Sequence, residues 1–443
     1  VAVCEDCDPL DPQIYPGAPE RCNAIDDDCD DLVDEGPDAD GDGFTTACDC
    51  DDLDDLIHPD ALEVCDRQDD DCDGVVDDGF DRATALRVVG DPEGQSAERF
   101  GYAIVDVGDA TGDDIPDFAV GIPDYDGEIG SEGAVALVSG ASREVLCLMR
   151  PPEDSYRAVV GFAVAAIGDV TADGVPDVAA AGRYGTFVFS GANCALIDEL
   201  PSGEECRWGG FTPDGTPVAA VDDLDGDGVR EIAAYYDRFS AVVYSGSSRE
   251  VLFHLREPAA GPGNAFAFAL AGLDDVTGDG IPDIAVGAPA DYLAYNRGSV
   301  SLFSGADGAF VRKMSVPGSG SDEDAVGWSV LGLPDVSGDG VPDIAAGAPG
   351  TEAHDPYFRA AGAIVIFSGR DGGIVRRLLD PVPQYGAELG HAMALFRDMT
   401  GDRIPELLVS SIDVADRDTP VPQVALMDPS TGALLRRFVS PDG

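Results

Sequence analysis

The sequence runs to 443 residues, enough for two or more domains, and its 44% hydrophobic content is too high for a disordered chain. Its formal charge of −60 describes a surface that repels nucleic acid and anionic membrane, and that attracts divalent cations. No apolar run approaches the roughly 18 residues of a membrane span. Val1 opens neither a start codon nor a signal peptide, so a processed product or a fragment is expected. Eleven cysteines, eight of them before residue 73, indicate an oxidising compartment. A secreted or cell-surface location is therefore expected.

Residues 1–80 are a tandem duplication. A shift of 43 residues lays Asp6-CDPLDPQIYPGAPERCNAIDDDCDDLVDEG onto Asp49-CDDLDDLIHPDALEVCDRQDDDCDGVVDDG, with Cys7, Cys22 and Cys29 over Cys50, Cys65 and Cys72. Acidic side chains recur at alternate positions: Asp26, Asp28, Asp30 and Asp34; Asp69, Asp71, Asp73 and Asp77; and, between the copies, Asp38, Asp40, Asp42 and Asp49. Such spacing lets carboxylates from a short loop converge on a hard cation. Thiolate zinc sites are disfavoured, because the intervening carboxylates suit hard cations and no histidine sits at finger spacing. A disordered acidic tail that holds cations diffusely is the alternative. Disulfides would staple a module with almost no apolar core, and pairing is expected to stay within this segment.

Residues 81–443 repeat one plan six times. The first Asp of each loop lies at 109, 169, 223, 275, 335 and 398. Calcium takes about six to eight oxygens, so alternate side chains and one inward carbonyl at position 7 must converge. The candidate ligands are Asp109, Thr111, Asp113, Ile115 and Asp117; Asp169, Thr171, Asp173, Val175 and Asp177; Asp223, Asp225, Asp227, Val229 and Glu231; Asp275, Thr277, Asp279, Ile281 and Asp283; Asp335, Ser337, Asp339, Val341 and Asp343; and Asp398, Thr400, Asp402, Ile404 and Glu406. Position 12 is Val or Ala throughout, so these loops close at position 9 and run into a strand instead of an EF-hand helix. About six calcium ions are expected here and up to three in the N-terminal segment. Each unit reads as four antiparallel strands separated by Gly, Ser and Asp punctuation. Units of this length repeated radially predict an all-β fold, a β-propeller. An additional strand-like stretch, TALRVV at 84–89, either closes a six-bladed ring or belongs to a seventh blade.

The motifs resemble known families. Phe100-Gly101 with Gly121-Ile-Pro123, Val160-Gly161, Phe266-Ala267 with Gly287-Ala-Pro289, Val326-Gly327 with Gly347-Ala-Pro349, and Leu389-Gly390 are similar to the FG-GAP repeats of the integrin α-chain headpiece propeller. That resemblance implies calcium-stiffened blades and extracellular adhesion or recognition. Integrin headpieces have seven such repeats. Blade 3 departs with Asp214-Gly215 and Tyr235-Tyr-Asp237, and blade 6 departs with Arg403 at the turn and Ser410-Ser-Ile412. Residues 4–79 resemble the Asp/Cys-rich metal-binding repeats of myxobacterial surface proteins and, more loosely, the thrombospondin type 3 repeat.

No G-x-S-x-G, P-loop or H-E-x-x-H motif is present, and His58, His254, His354 and His391 share no repeat position, so a non-enzymatic protein is expected. The metal loops and the Ser-Gly turns join strands at one end of each blade. Variable loops open at the other end, carrying Tyr125, Tyr292, Tyr295, Tyr357 and Phe358, and form a candidate recognition surface. Its partner would be an extracellular protein or glycan, or copies of the chain itself. The alternative is a structural subunit of an extracellular fibre or surface layer. Cys194 and Cys206 flank one strand and are placed to pair, and Cys147 stands single.

Overall fold

The computed structural model separates into two compact units, Val1–Val88 and Val89–Gly443. It describes residues 7, 11, 13–21, 23, 25–30, 32–34, 36–40, 44–46, 48–51, 57–59 and 72 of the first unit. In the second it describes 99–113, 115–126, 132–152, 158–183, 185–203, 217–237, 239–258, 265–289, 298–317, 324–351, 361–381, 387–413 and 421–439. The stretch 84–89, Cys206, Asp214-Gly215, Tyr292, Tyr295, Tyr357 and Phe358 lie outside the described residues, as do Asp42, Asp69, Asp71, Asp73 and Asp77.

The first unit shows no helix or strand among its described residues. Two disulfides in matching register hold it, Cys7–Cys29 and Cys50–Cys72, with Cα separations of 5.7 and 5.6 Å. The half-cystine amides repeat as well: Cys7 N–H points at Cys29 Sγ (3.1 Å) and Cys50 N–H at Cys72 Sγ (3.2 Å). Among its described residues only Ile14, Ala18 and Ile57 are buried apolar side chains. Covalent cross-links therefore take the place of a core. Asp27, fully buried, accepts hydrogen bonds from the Arg21 guanidinium and from Asn23 Nδ2, and the Arg21 contact holds its carboxyl below the usual range.

The second unit is an all-β six-blade propeller, each blade a four-stranded antiparallel sheet in chain order. Blade 1 comprises β1 (Ile104–Gly108), β2 (Asp117–Ile122), β3 (Ala134–Val138) and β4 (Val145–Met149). Blade 2 has β5 (Ala163–Gly168), β6 (Asp177–Ala181), β7 (Gly185–Phe189) and β8 (Leu196–Pro201). Blade 3 has β9 (Val218–Val221), β10 (Glu231–Asp237), β11 (Ser240–Tyr244) and β12 (Val251–Leu255). Blade 4 has β13 (Ala269–Leu273), β14 (Asp283–Ala288), β15 (Ser299–Phe303) and β16 (Phe310–Met314). Blade 5 has β17 (Val330–Leu333), β18 (Asp343–Ala348), β19 (Ala363–Phe367) and β20 (Ile374–Leu378). Blade 6 has β21 (Met393–Phe396), β22 (Glu406–Asp413), β23 (Val421–Met427) and β24 (Leu434–Val439).

The second and third strands of an internal blade are buried on both faces, so they are apolar without alternation, as in AIVIF of β19. Fourth strands are partly exposed and admit charged residues, as in FVRKM of β16, because their outer edge meets solvent. Successive blades share cores: Ala345, Ile364, Ile366 and Leu378 of blade 5 pack against Leu407, Val409, Ala425 and Met427 of blade 6. Four further cores of this kind join blades 1 and 2, 2 and 3, 3 and 4, and 4 and 5.

The FG and GAP motifs owe their glycines to these junctions. A Cβ on Gly121 would lie 2.0 Å from the Gly161 carbonyl oxygen of the next blade; Gly287 and Gly327 repeat this at 2.1 Å, Gly347 and Gly390 at 2.0 Å. Two peptide backbones thus touch with no room for a side chain. Parallel bridges Gly133–Val160, Gly298–Val326 and Gly362–Leu389 stitch the same three junctions.

One cysteine expectation is corrected. Cys147 on β4 is bonded to Cys194 (Cα separation 6.3 Å), which excludes both a lone Cys147 and a Cys194–Cys206 pair. Cys194 occupies the left-handed corner (φ 60°) of the turn between β7 and β8, which the blade 1–2 packing brings against β4. The link therefore crosses blades. Replacing Gly121 by Val should cost more than about 2 kcal/mol, since backbone would have to part between two blades. Urea unfolding of G121V against the parent measures this.

Candidate metal centres

Each propeller loop curls around its first aspartate. In blade 3, Asp223 Oδ1 accepts hydrogen bonds from Gly226 N–H (2.7 Å) and Asp227 N–H (3.1 Å), and Oδ2 accepts one from Gly228 N–H (2.9 Å). Asp227 Oδ1 accepts from Val229 N–H at 2.8 Å. Blades 4 and 5 repeat these contacts through Asp275 and Asp279 and through Asp335 and Asp339. In blade 2 the amides of Asp173 and Gly174 serve Asp169, and the Gly174 contact leads in holding that carboxyl low. Blade 6 keeps the pattern although Arg403 takes the glycine position, adopting φ 70° and donating its N–H to Asp398 Oδ2 (2.6 Å).

The carboxylate at position 9 begins the second strand and is fully buried in all six blades, at Asp117, Asp177, Glu231, Asp283, Asp343 and Glu406. Where it is Asp, backbone amides hold both oxygens. Asp177 Oδ2 accepts from Val170 N–H (2.9 Å) and Thr171 N–H (3.1 Å), and Oδ1 accepts from Gly191 N–H (3.0 Å). Asp117 and Asp283 are held by the equivalent three donors, and Asp343 by Ser337 and Gly369. The Gly191 donor sits in the Ser-Gly turn of the same blade. There a Cβ would lie 1.8 Å from the Pro176 carbonyl oxygen, so only glycine brings this N–H to the carboxylate. Burial pushes Asp177, Asp283 and Asp343 up, and these amides counter it.

Glutamate behaves differently. One methylene longer, Glu231 keeps only the Leu224 N–H contact to Oε2 (2.8 Å), and its Oε1 is buried with no hydrogen-bond partner. Glu406 does the same: Oε2 accepts from Met399 N–H (2.8 Å) and Oε1 is left bare. Blade 6 has Pro429 in place of the turn glycine, which removes the donor altogether. In blade 3, Asp223, Asp225, Asp227 and Glu231 each bring one oxygen within 4.8 Å of the others. Such a set of hard oxygens, one of them buried and unsatisfied, suits a calcium-type ion. Ser247 Oγ, from the turn beyond β11, donates to Asp227 Oδ2; Ser368 and Ser430 do likewise to Asp339 and Asp402.

In the N-terminal unit the group that converges is Glu20, Asp26 and Asp28. Asp28 Oδ1 is buried and unpartnered, and burial together with the charges of Asp30, Glu20 and Asp26 pushes its carboxyl up. Asp30 N–H still donates to Asp26 Oδ1 (3.1 Å) and Leu32 N–H to Asp30 Oδ1 (3.0 Å), the propeller-loop pattern. Asp34 instead accepts from Asn23 N–H (3.0 Å). Asp38, Asp40 and Asp49 are described but do not form such a group with one another; Asp49 lies beside Cys50 and Cys72, whose sulfurs are spent in a disulfide. Sequence reasoning missed Glu20. Its signal is the glutamate that recurs 43 residues on, Glu63, six residues before Asp69 as Glu20 is before Asp26.

Tyr125, expected as an exposed anchor, is buried, with the Arg150 guanidinium over its ring at 5.0 Å. A cavity of about 290 Å³ opens where inner strands meet, lined by Ala220, Gly272, Leu273, Leu331 and Leu333 beside the Asp222–Arg230 ion pair. Among the described residues no helix is long and apolar enough to cross a membrane.

Comparison with known proteins finds both kinds of repeat. Residues 266–303 and 326–367 match the FG-GAP repeat, and residues 6–35 and 49–78 match the family described as "Putative metal-binding motif". Human integrin alpha-7 is 30% identical over 154 residues, 34% of this chain and 12% of the relative. Integrin alpha-5 of Xenopus laevis is 28% identical over 258 residues, 57% of this chain and 20% of the relative. Mouse integrin alpha-3 is 30% identical over 161 residues, 34% and 14%. The chain thus spans a fifth or less of the length of these relatives.

Burial, then the charges of Asp225, Asp223 and Asp227, raise Glu231 from 4.5 to about 7. A raised carboxyl favours the protonated folded state, so this contribution is full below about pH 4.5 and lost as pH climbs through about 7. In chelator, the parent should therefore lose melting temperature across that window, and Glu231→Gln, neutral throughout, should lose less. Thermal melts against pH decide it.

Proposed function

We propose that this chain is an extracellular adhesion or recognition module whose blade loops hold calcium. The observation that carries the reading is the blade 3 loop, where four carboxylates converge and the buried Glu231 Oε1 has no donor. Within the protein's own amides the four position-9 aspartates find partners for both oxygens, so an ion adds least at the aspartate loops and most where glutamate stands. Blade 3 is the strongest site, and blade 6, with its bare Glu406 oxygen and the added charge of Arg403, is a weaker one. Calcium is structural here: it clamps the turn between the first two strands.

The antiparallel order puts the metal loops and the Ser-Gly turns at one end of each blade and the connections between second and third strands at the other. We assign partner binding to that second end. Disulfides in both units fit the oxidising exterior that this role requires. An extracellular protein or glycan is the ligand class.

Calcium should raise the melting temperature by mass action, and chelator should lower it. Calorimetric titration should place the tightest propeller site in blade 3, with Glu231→Ala weakening it at least about tenfold by loss of a charged ligand. An unchanged melt on chelation, or unaltered calcium affinity in the variant, would overturn this.

A further inference from the structure

The cavity of about 290 Å³ between the first strands of blades 3 to 6 lies at the metal-loop end, away from the end assigned to partner binding. Ala220, Gly272, Gly332 and Leu395 in its wall stand at the same point of four consecutive repeats, three residues before the first aspartate of the loop. Three of the four have little or no side chain, and this leaves the space open. Gly272 is held to glycine by backbone, since a Cβ there would lie 2.8 Å from the Ala220 carbonyl oxygen. Gly332 is not so constrained: the nearest atom to a Cβ would be Cδ2 of the flexible Leu273 side chain, at 3.2 Å. Leu273, Leu331 and Leu333 make the rest of the wall aliphatic, and Leu395 is 44% exposed. Apolar surface left in contact with water favours an apolar occupant.

Charge supplies a second, independent observation. Asp222 and Asp274, one residue before the loop's first aspartate in blades 3 and 4, line the same cavity. Side chains two residues apart on a strand share a face, so the acidic layer follows the layer of small residues along one wall. Asp222 is paired with Arg230 at 3.0 Å. Asp274 is exposed and has no cation beside it among the described residues. Arg397, which holds this position in blade 6, is not part of the wall. The mouth thus carries one uncompensated negative charge next to an aliphatic wall. An anion would have to draw Arg230 from Asp222 and would face Asp274. A metal ion would make no use of the leucines, and neither Asp222 nor Asp274 belongs to a group of converging ligand oxygens. The volume lies near the lower limit of small-molecule pockets, about 300 Å³, and suits one short chain.

We propose that this cavity binds an aliphatic primary ammonium, either a free alkylamine or the side chain of a lysine. Its stem lies along Leu273, Leu331 and Leu333, and its nitrogen donates to the Asp274 carboxylate. Both parts of such a ligand are used, the methylenes by the wall and the charge by the mouth.

The test titrates the full chain with n-pentylammonium, read by calorimetry and by the amide resonances of Gly272 and Gly332. Methylammonium carries the same charge and reports the general attraction of an acidic surface, and 1-pentanol carries the same stem. Pentylammonium should bind at least about tenfold more tightly than either and should shift both amides. Asp274→Asn should weaken it at least about tenfold, to the level of 1-pentanol, and Ala220→Leu, which fills the cavity, should abolish binding of both. Asp274 is exposed, so its variant keeps the fold even if the cavity-filling one does not. Pentylammonium that binds no more tightly than methylammonium would overturn the proposal, and so would affinity unchanged by Asp274→Asn. Nα-acetyl-lysine N-methylamide binding as tightly as pentylammonium identifies a lysine side chain as the source, and its exclusion identifies a free amine.

Discussion

The buried carboxylate that begins each second strand is the contact on which the propeller's repeating unit depends. It sits at the foot of a strand enclosed on both faces, where an unsatisfied charge is costly. Two groups of amides meet there: those of the acidic loop before it, and that of a glycine in the turn between third and fourth strands. Asp177 accepts from Val170, Thr171 and Gly191, and so fastens loop, strand and distant turn at one point. A short side chain is needed for both oxygens to reach. Lengthening it by one methylene, as at Glu231 and Glu406, frees one oxygen and leaves it buried without a hydrogen-bond partner.

Between blades the controlling contact is peptide against peptide. Apolar burial supplies most of the cohesion, but it is non-directional and tolerates repacking. The glycine pairs are not tolerant. Gly121 against Gly161 sets how closely one blade can approach the next, and bridges such as Gly133–Val160 fix the register of that approach. The FG and GAP motifs, which lie some 20 residues apart in one repeat, thus act in different junctions: GAP reaches forward and FG receives from behind.

Much of this could be read from the sequence because its signals are local and repeated. Acidic residues at fixed offsets located the six loops, and apolar runs bounded by Gly and Ser located the strands. The fold class follows from the repeat alone. What the sequence concealed depends on distance in space. Cys147 and Cys194 lie 47 residues apart, in different blades, and their pairing follows from how β4 meets the β7–β8 turn. Tyr125 has the composition of a loop anchor, yet it is buried beside Arg150. The difference between Asp and Glu at position 9 looks conservative on paper, and only the positions of the amide donors make it a change of role. Glu20 was hidden for another reason, since it joins the acidic group from outside the alternating run.

Blade 3 shows how these two kinds of contact trade against each other. It has Tyr235 where GAP glycine would stand, so, like blade 2 with Ala181, it lacks the glycine-to-glycine approach that Gly121, Gly287 and Gly347 make. Side chains and local amides take over on its other flank: the Tyr244 hydroxyl donates to the Pro201 carbonyl (2.6 Å) of blade 2, and Gly203 N–H donates to the Tyr236 carbonyl (2.8 Å). Its loop also holds four carboxylates at positions 1, 3, 5 and 9 where the others hold three at those positions, because Asp225 replaces Thr or Ser at position 3. Like charges so close oppose one another, and the rise of Glu231 to about 7 expresses that cost together with burial. An ion bound there would cancel the repulsion and supply the missing partner for Oε1. The blade with the bulkiest residue at its GAP position is therefore the one in which a cation has the most to add.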